Sequence, residues 1–177
     1  MAVAIDRTKA IALALILTGI GLRLVPHAAN FAPVGAIAIF GGAVLDKKLA
    51  WWLPLAIMIA SDLIIGLHSA VLFTWGGFAL IGLYGMLLRE QKTLPKILLG
   101  ALGSGVIFYV ISNFGVWATT GLYPHTLQGL TDCYVAALPF FRTSLLADFV
   151  YCAALFGGYA LATAQIKKPA AIAADLN

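Results

Sequence analysis

Charged side chains are scarce in this chain. Asp, Glu, Lys and Arg make up 10% of its 177 residues, against roughly 25% in a soluble domain. An ordinary water-facing globular surface is therefore excluded. Cysteine is scarcer still: Cys133 and Cys152 are too few for a disulfide framework. Catalytic signatures are missing too. There is no GxxxxGK[ST] phosphate loop and no HExxH pair, so the chain has no means of hydrolysing ATP by itself. Gly66-Leu67-His68-Ser69-Ala70 carries His where a nucleophile elbow needs Ser. The three histidines, His27, His68 and His125, lie too far apart for a local metal motif. No small-x-small cleavage site follows the first apolar run, which reads as an uncleaved helix and not as a signal peptide.

What is present is apolar: 62% of residues are hydrophobic and the mean hydropathy is +0.99. The excess falls in runs long enough to cross about 30 Å of hydrocarbon at roughly 1.5 Å per residue. The expected fold class is all-α: a polytopic membrane protein, one domain over residues 1–177, built as a six-transmembrane-helix bundle. The expected spans are residues 10–25, 33–45, 49–67, 70–88, 94–112 and 143–164. The second is short and holds Gly41-Gly42, poor helix formers, so a re-entrant segment is its alternative. Charge placement favours six crossings. With the N-terminus inside, nine of the eleven basic side chains (Arg7, Lys9, Lys47, Lys48, Arg89, Lys92, Lys96, Lys167 and Lys168) fall in cytoplasmic segments, leaving Arg23 and Arg142 outside. Both termini are then cytoplasmic and the location is the inner (plasma) membrane. The basic pI of about 9.2 reads as this topology signal and not as a nucleic-acid footprint. Trp51 and Trp52 fit an aromatic belt at the inner interface. Small residues four apart (Ala10/Ala14, Gly100/Ser104, Ala101/Gly105, Gly158/Ala162) suit close helix packing in lipid. The tail from Lys167 onward is expected to fray.

The same topology gathers the polar residues on the outer rim: Arg23, His27, Asn30, Asp62, His68, Asn113, Asp132, Cys133, Arg142 and Asp148, with His125 in an outer loop. Ionisable groups within a membrane normally pair or line a cavity. Arg23 and Arg142 are expected to neutralise Asp62 and Asp148, either fixing helix register or flooring a ligand pocket. The loop Pro26–Pro33 is stiffened by proline at both ends. The outer segment 113–142 is long for a plain connector. Leu127, Leu130, Tyr134 and Leu138 predict a short helix near 126–138 within it, either a lid over the bundle or an interfacial helix. The candidate ligand-binding set is Arg23, His27, Asn30, Asp62, His68, Asn113, Trp117, Tyr123, His125 and Arg142. In it the two arginines would hold a carboxylate or phosphate through forked donors, and Trp117 and Tyr123 would stack on a ring. His68, His125 and Cys133 are the candidates for a metal site assembled from separate loops; no cofactor and no catalytic residue are expected.

Several strings resemble an uncharacterised bacterial family of small membrane proteins: Arg23-Leu-Val-Pro-His-Ala-Ala-Asn-Phe-Ala-Pro-Val-Gly-Ala36, Ser61-Asp-Leu-Ile-Ile-Gly-Leu-His68, Ser112-Asn-Phe-Gly-Val-Trp117, Tyr123-Pro-His-Thr126 and Gly129-Leu-Thr-Asp-Cys-Tyr-Val-Ala-Ala-Leu-Pro-Phe-Phe-Arg142. That resemblance spans about residues 20 to 160 and carries no activity. The layout is also similar to the S-components of energy-coupling-factor (ECF) vitamin transporters, six-helix proteins that bind a vitamin from outside. This second likeness is one of architecture alone. It implies a vitamin or cofactor precursor as ligand. It also implies a transmembrane coupling subunit with ATPases as partner, met through an Ala-x-x-x-Ala contact on the first helix, here Ala10 and Ala14. In the cobalamin-type branch, His68 would be placed to ligate cobalt.

The leading expectation is thus a non-enzymatic binding and uptake protein in the lipid bilayer for a small water-soluble nutrient. The alternatives are a structural or accessory membrane subunit without ligand, and a membrane enzyme using Asp62, His68 and Asp148 for acid–base work at the outer interface.

Overall fold

A computed structural model describes residues 7–25, 30–50 and 52–174. All regular structure among the described residues is helical. In chain order there are α1 (Arg7–Leu24), α2 (Val34–Val44), α3 (Lys47–Ala50), α4 (Trp52–Ile65), α5 (Val71–Gly85) running into a 3-10 turn at Met86–Leu88, α6 (Leu94–Thr119) and α7 (Leu127–Ala174). Three helical stretches are long and apolar enough to cross a membrane: Val71–Leu88, Leu94–Thr119 and Leu127–Gln165. The others fall short of that standard for identifiable reasons. α1 has 18 residues but carries Arg7, Lys9 and Arg23. α2 and α4 have 11 and 14 residues, which at 1.5 Å per residue reach roughly 16 and 21 Å.

The shortest of these three is the centre of the molecule. Every residue of α2 from Val34 to Ala43 is buried, as expected of a helix that is apolar all round. It packs against α5 and α7 most extensively and also touches α1, α4 and α6. Phe40, fully buried, meets Phe156 and Tyr159 of α7 edge-on at 5.2 and 5.6 Å. The glycines that weaken α2 as an isolated helix are what let it sit there. A Cβ on Gly42 would collide with the backbone of Gly82 and Gly85, and one on Gly85 would collide with the backbone of Ile39. α2 and α5 therefore meet backbone to backbone, the contact small residues permit. The surrounding helices turn apolar side chains outward, among them Ile64, Leu72, Leu87, Leu98, Leu102 and Leu161. Water would not tolerate so large a patch; lipid tails would.

Two boundaries differ from the sequence expectation. α6 does not stop at residue 112 but continues to Thr119. Asn113 turns its amide back onto the Tyr109 carbonyl (2.8 Å), so a polar residue that suggested a break is satisfied inside the helix. The helix ends where Gly121 takes φ +68°, the left-handed position after the C-cap that glycine fills without strain. The predicted short helix and the last span are not separate either. α7 is one helix of 48 residues that passes through Pro139, and the connector is only residues 120–126. The helix also holds to Ala174, beyond the point where fraying was expected.

The chain reverses at alternate ends. At one end Lys9 pairs with Asp46 at 2.8 Å, Arg89 donates to the Leu45 carbonyl, and Lys92 donates to the Arg89 carbonyl at 2.5 Å. Partial burial, and then the neighbouring Arg89 guanidinium, hold the Lys92 ammonium below the usual lysine range. The opposite end collects Arg23, Asn30, Asp62 and His68.

Candidate functional site

The site is built on one ion pair. Arg23, one residue short of the end of α1, donates to Asp62 Oδ1 of α4 at 2.6 Å and to the neighbouring Ser61 hydroxyl. Ser61 in turn donates to the Met58 carbonyl at 2.9 Å. The second Asp62 oxygen accepts the Trp75 indole N–H of α5 at 2.8 Å. The two charged side chains retain only 13% and 6% of their exposure. Each partner is therefore compensated, and three helices are tied together at one level.

Asp148, on α7, is arranged differently. It is 5% exposed and makes no ion pair among the described residues. Its carboxylate lies against Gly35, where a Cβ would strike both oxygens and the Ser104 hydroxyl. It faces Ser104 and the Ala36 amide, in the first turn of α2, the end whose dipole favours an anion. Ser104 is itself fully buried, with its hydroxyl beside that carboxyl. A carboxyl group thus sits in an apolar interior with dipoles around it and, among the described residues, no formal counter-charge.

Two adjoining cavities open onto these groups. The inner one, about 150 Å³, is lined by Arg23, Val34, Met58, Phe78 and Asp148, among others. The outer one, about 310 Å³, is lined by His68, Tyr109, Ser112, Asn113, Phe140 and Phe141, among others. Asn30, Thr74, Gly105, Phe108 and Ser144 belong to both, so the two adjoin. Asn30 holds φ +61°, a left-handed conformation that asparagine tolerates better than most residues. Phe78 and Phe108 stack with centroids 4.8 Å apart, forming one wall of the inner chamber.

Five of the ten residues proposed from sequence meet here. Arg23 and Asn30 line the inner chamber, Asn30, His68 and Asn113 line the outer one, and Asp62 anchors Arg23 from behind. Trp117 and His125 lie in a separate cluster at the α6–α7 turn. The Trp117 indole donates to the Pro124 carbonyl (2.9 Å), the His125 ring is 3.0 Å from the Trp117 carbonyl, and the two rings meet edge-on at 5.2 Å. Tyr123, half-buried, belongs to that turn and lines neither cavity. Arg142 is exposed and lines neither cavity, and Asp148 does not receive it. The expected second arginine–aspartate pair is therefore replaced by a carboxylate on a helix N-terminus. His27 and Trp51 lie outside the described residues. The Cys133 thiol donates to the Asn113 carbonyl at 3.4 Å. No cluster of three or more His, Cys, Asp or Glu suited to a metal occurs among the described residues, so His68, His125 and Cys133 are not assembled into one. Sequence reasoning set Asp148 in the arginine–aspartate network but not in the candidate ligand set. It had no signal for Thr74, Phe78, Phe108 or Ser144, which look like ordinary helix residues until the helices are packed.

With that geometry in place, the chain can be compared with known proteins. The model of a family of unknown function (DUF6580) matches residues 4–171, and the chain belongs to that family. No curated protein and no solved structure matches it.

Proposed function

We propose that this protein is a membrane-embedded binding protein that receives a small water-soluble molecule, a nutrient such as a vitamin or cofactor precursor, from the non-cytoplasmic side. The observation that carries the reading is the two-part cavity. It is lined by Arg23, Asn30, Asp148, Ser144 and Asn113 inside a shell whose outward face is apolar. Polar groups that cost free energy to bury in lipid are kept where they line a cavity. Binding pockets characteristically combine an apolar wall with a few convergent polar groups.

The proposal includes six crossings, with α2 and α4 as short spans completed by their neighbours and by local thinning of the bilayer. Lys9, Arg89 and Lys92, gathered at the end away from the cavity, then face the cytoplasm together with both termini of the chain. The proposal also carries the analogy with the S-components of ECF transporters, which rests on the layout read from the sequence. Ala10 and Ala14 are exposed on α1, as a contact for a coupling subunit would require. We place no catalytic step in the site.

The test is to purify the protein from its native membrane and identify small molecules that leave with it on denaturation. The expected result is one polar species at near-stoichiometric amount, lost in Asp148→Asn. Recovery of phospholipid alone, in repeated preparations, would overturn the reading.

A further inference from the structure

The binding reading leaves open which kind of molecule is bound, and the charges around the inner chamber bear on that question. Among the described residues the chamber has two charged ones in its lining, Arg23 and Asp148. Arg23 is already spoken for by Asp62 and Ser61. Asp148 is not: its neighbours are the Ser104 hydroxyl and a helix N-terminus, and neither carries a formal charge. Among the described residues Asp148 is thus a buried carboxyl without a cationic partner in a largely apolar chamber, a group that a bound cation would hold in its charged form. Buried charges are ordinarily paired.

Size and wall chemistry narrow the partner further. The inner volume of about 150 Å³ is that of a cavity known to hold one benzene ring. Its wall includes the stacked pair Phe78 and Phe108, and aromatic faces attract cations. Thr74 and Ser144 add hydroxyls, while the outer 310 Å³ offers His68, Tyr109, Ser112 and Asn113 to whatever extends outward.

Resting on the binding function proposed above, we infer that the ligand is a small organic cation built on a single flat ring, such as a protonated nitrogen heterocycle. Its positive N–H group meets the Asp148 carboxylate, its ring lies against Phe78 and Phe108, and its polar remainder occupies the outer chamber. This reverses the polarity that two free arginines would have implied, because one arginine is neutralised and the other, Arg142, lines neither cavity.

The experiment compares three single-ring probes of similar size and different charge: 4-aminopyridinium, benzyl alcohol and benzoate. Each is titrated into the full-length protein in lipid nanodiscs, with binding read by ligand-observed NMR and by thermal shift. A charge-assisted hydrogen bond should make the cation about tenfold or more tighter than the alcohol, with benzoate weakest. In Asp148→Asn the cation should fall to within about threefold of the alcohol. Equal affinity for cation and alcohol, preference for benzoate, or a preference unchanged in Asp148→Asn would each overturn the inference. So would a co-purified molecule whose only charge is negative, which would leave the binding function itself standing. Should Asp148→Asn fail to fold, the ranking of the three probes on the wild-type chain still decides. If no probe binds saturably and only lipid co-purifies, it is the binding function that fails, and the inference with it.

Discussion

Removing the Asp62 charge should destabilise the protein strongly, and removing Arg23 with it should restore much of the loss. Asp62→Asn keeps an oxygen for the Trp75 indole, which now donates to the carboxylate at 2.8 Å, but leaves the Arg23 guanidinium, 13% exposed, without a counter-ion. Stripping one partner from a buried pair costs about 3–5 kcal/mol. Arg23 keeps the Ser61 hydroxyl as an acceptor and some exposure, so the lower end, about 3 kcal/mol, applies here. For a chain of this size that corresponds to a fall in Tm of roughly 6–12 °C. Asp62→Ala should cost about 1–3 kcal/mol more, because the indole N–H also loses its acceptor. Arg23→Met should be milder than Asp62→Asn, since an orphaned carboxyl can protonate while a guanidinium cannot give up its charge. The double variant Arg23→Met/Asp62→Asn should recover most of the deficit, because the charges vanish together. The assay is thermal unfolding of the four variants in one detergent, followed by tryptophan fluorescence and by loss of the monodisperse chromatographic peak. An Asp62→Asn Tm within about 2 °C of wild type, well inside the shift expected per kcal/mol, would refute the reasoning. A double variant whose loss equals the sum of the singles would refute it equally, since coupled residues do not add.

Three further outcomes follow from the packing and from the two ends of the bundle. Gly42→Ala, whose new methyl would meet the backbone of Gly82 and Gly85, should cost about 1–3 kcal/mol or more by overpacking. Gly157→Ala, which meets nothing, should be neutral or gain up to about 1 kcal/mol from helix propensity; the same unfolding assay reads both. Gly121→Ala, at φ +68°, should lose about 1–2 kcal/mol at the end of α6, whereas Gly121→Asn should lose less. Sidedness is read by thiol labelling in whole cells, where both native cysteines are buried and give little background. His68→Cys should react with a membrane-impermeant maleimide from outside, and Lys92→Cys only after permeabilisation. The reverse pattern would invert the proposed topology.

The sequence revealed the parts of the fold that depend on composition and missed those that depend on neighbours. Apolar runs announce helices because lipid and core impose the same demand, so α2, α4 and α5 fall within the expected spans, and α1 and α6 overlap theirs while running past one end. α6 runs seven residues past the expected end, and Asn113, the first of them, bonds to its own helix at the Tyr109 carbonyl. The division of α7 was misread because Pro139 and Arg142 look like a boundary. Proline removes one helical N–H and crowds the preceding turn, but α7 is held against α6 on both sides of it, by the Tyr134 hydroxyl on the Val110 carbonyl at 2.6 Å and by Phe141 against Tyr109 at 4.8 Å, and continues through. The weak helix propensity of Gly41-Gly42 raised the possibility that the second span was not a full helix. The close contact of Gly42 with α5 shows that the same feature is what seats α2 at the centre. Propensity measures an isolated helix; here the tertiary contact outweighs it.

The site divides along the same line. Arg23 and Asp62 could be paired from sequence because charges are rare in apolar runs and each must find a partner. Asp148 could not be assigned correctly, because its neighbour is an absence: the missing side chain of Gly35 lets a carboxylate approach the first turn of α2. With Arg23 taken by Asp62 and Arg142 lining neither cavity, no arginine is left free at the chamber among the described residues, and the carboxyl of Asp148 is the group without a charged partner. On the proposed binding reading, the sign of the charge that a ligand would carry is therefore not a property of the composition, which is net +4. It is set by which charges the packing has already neutralised, and a single glycine in the most buried helix decides that for Asp148.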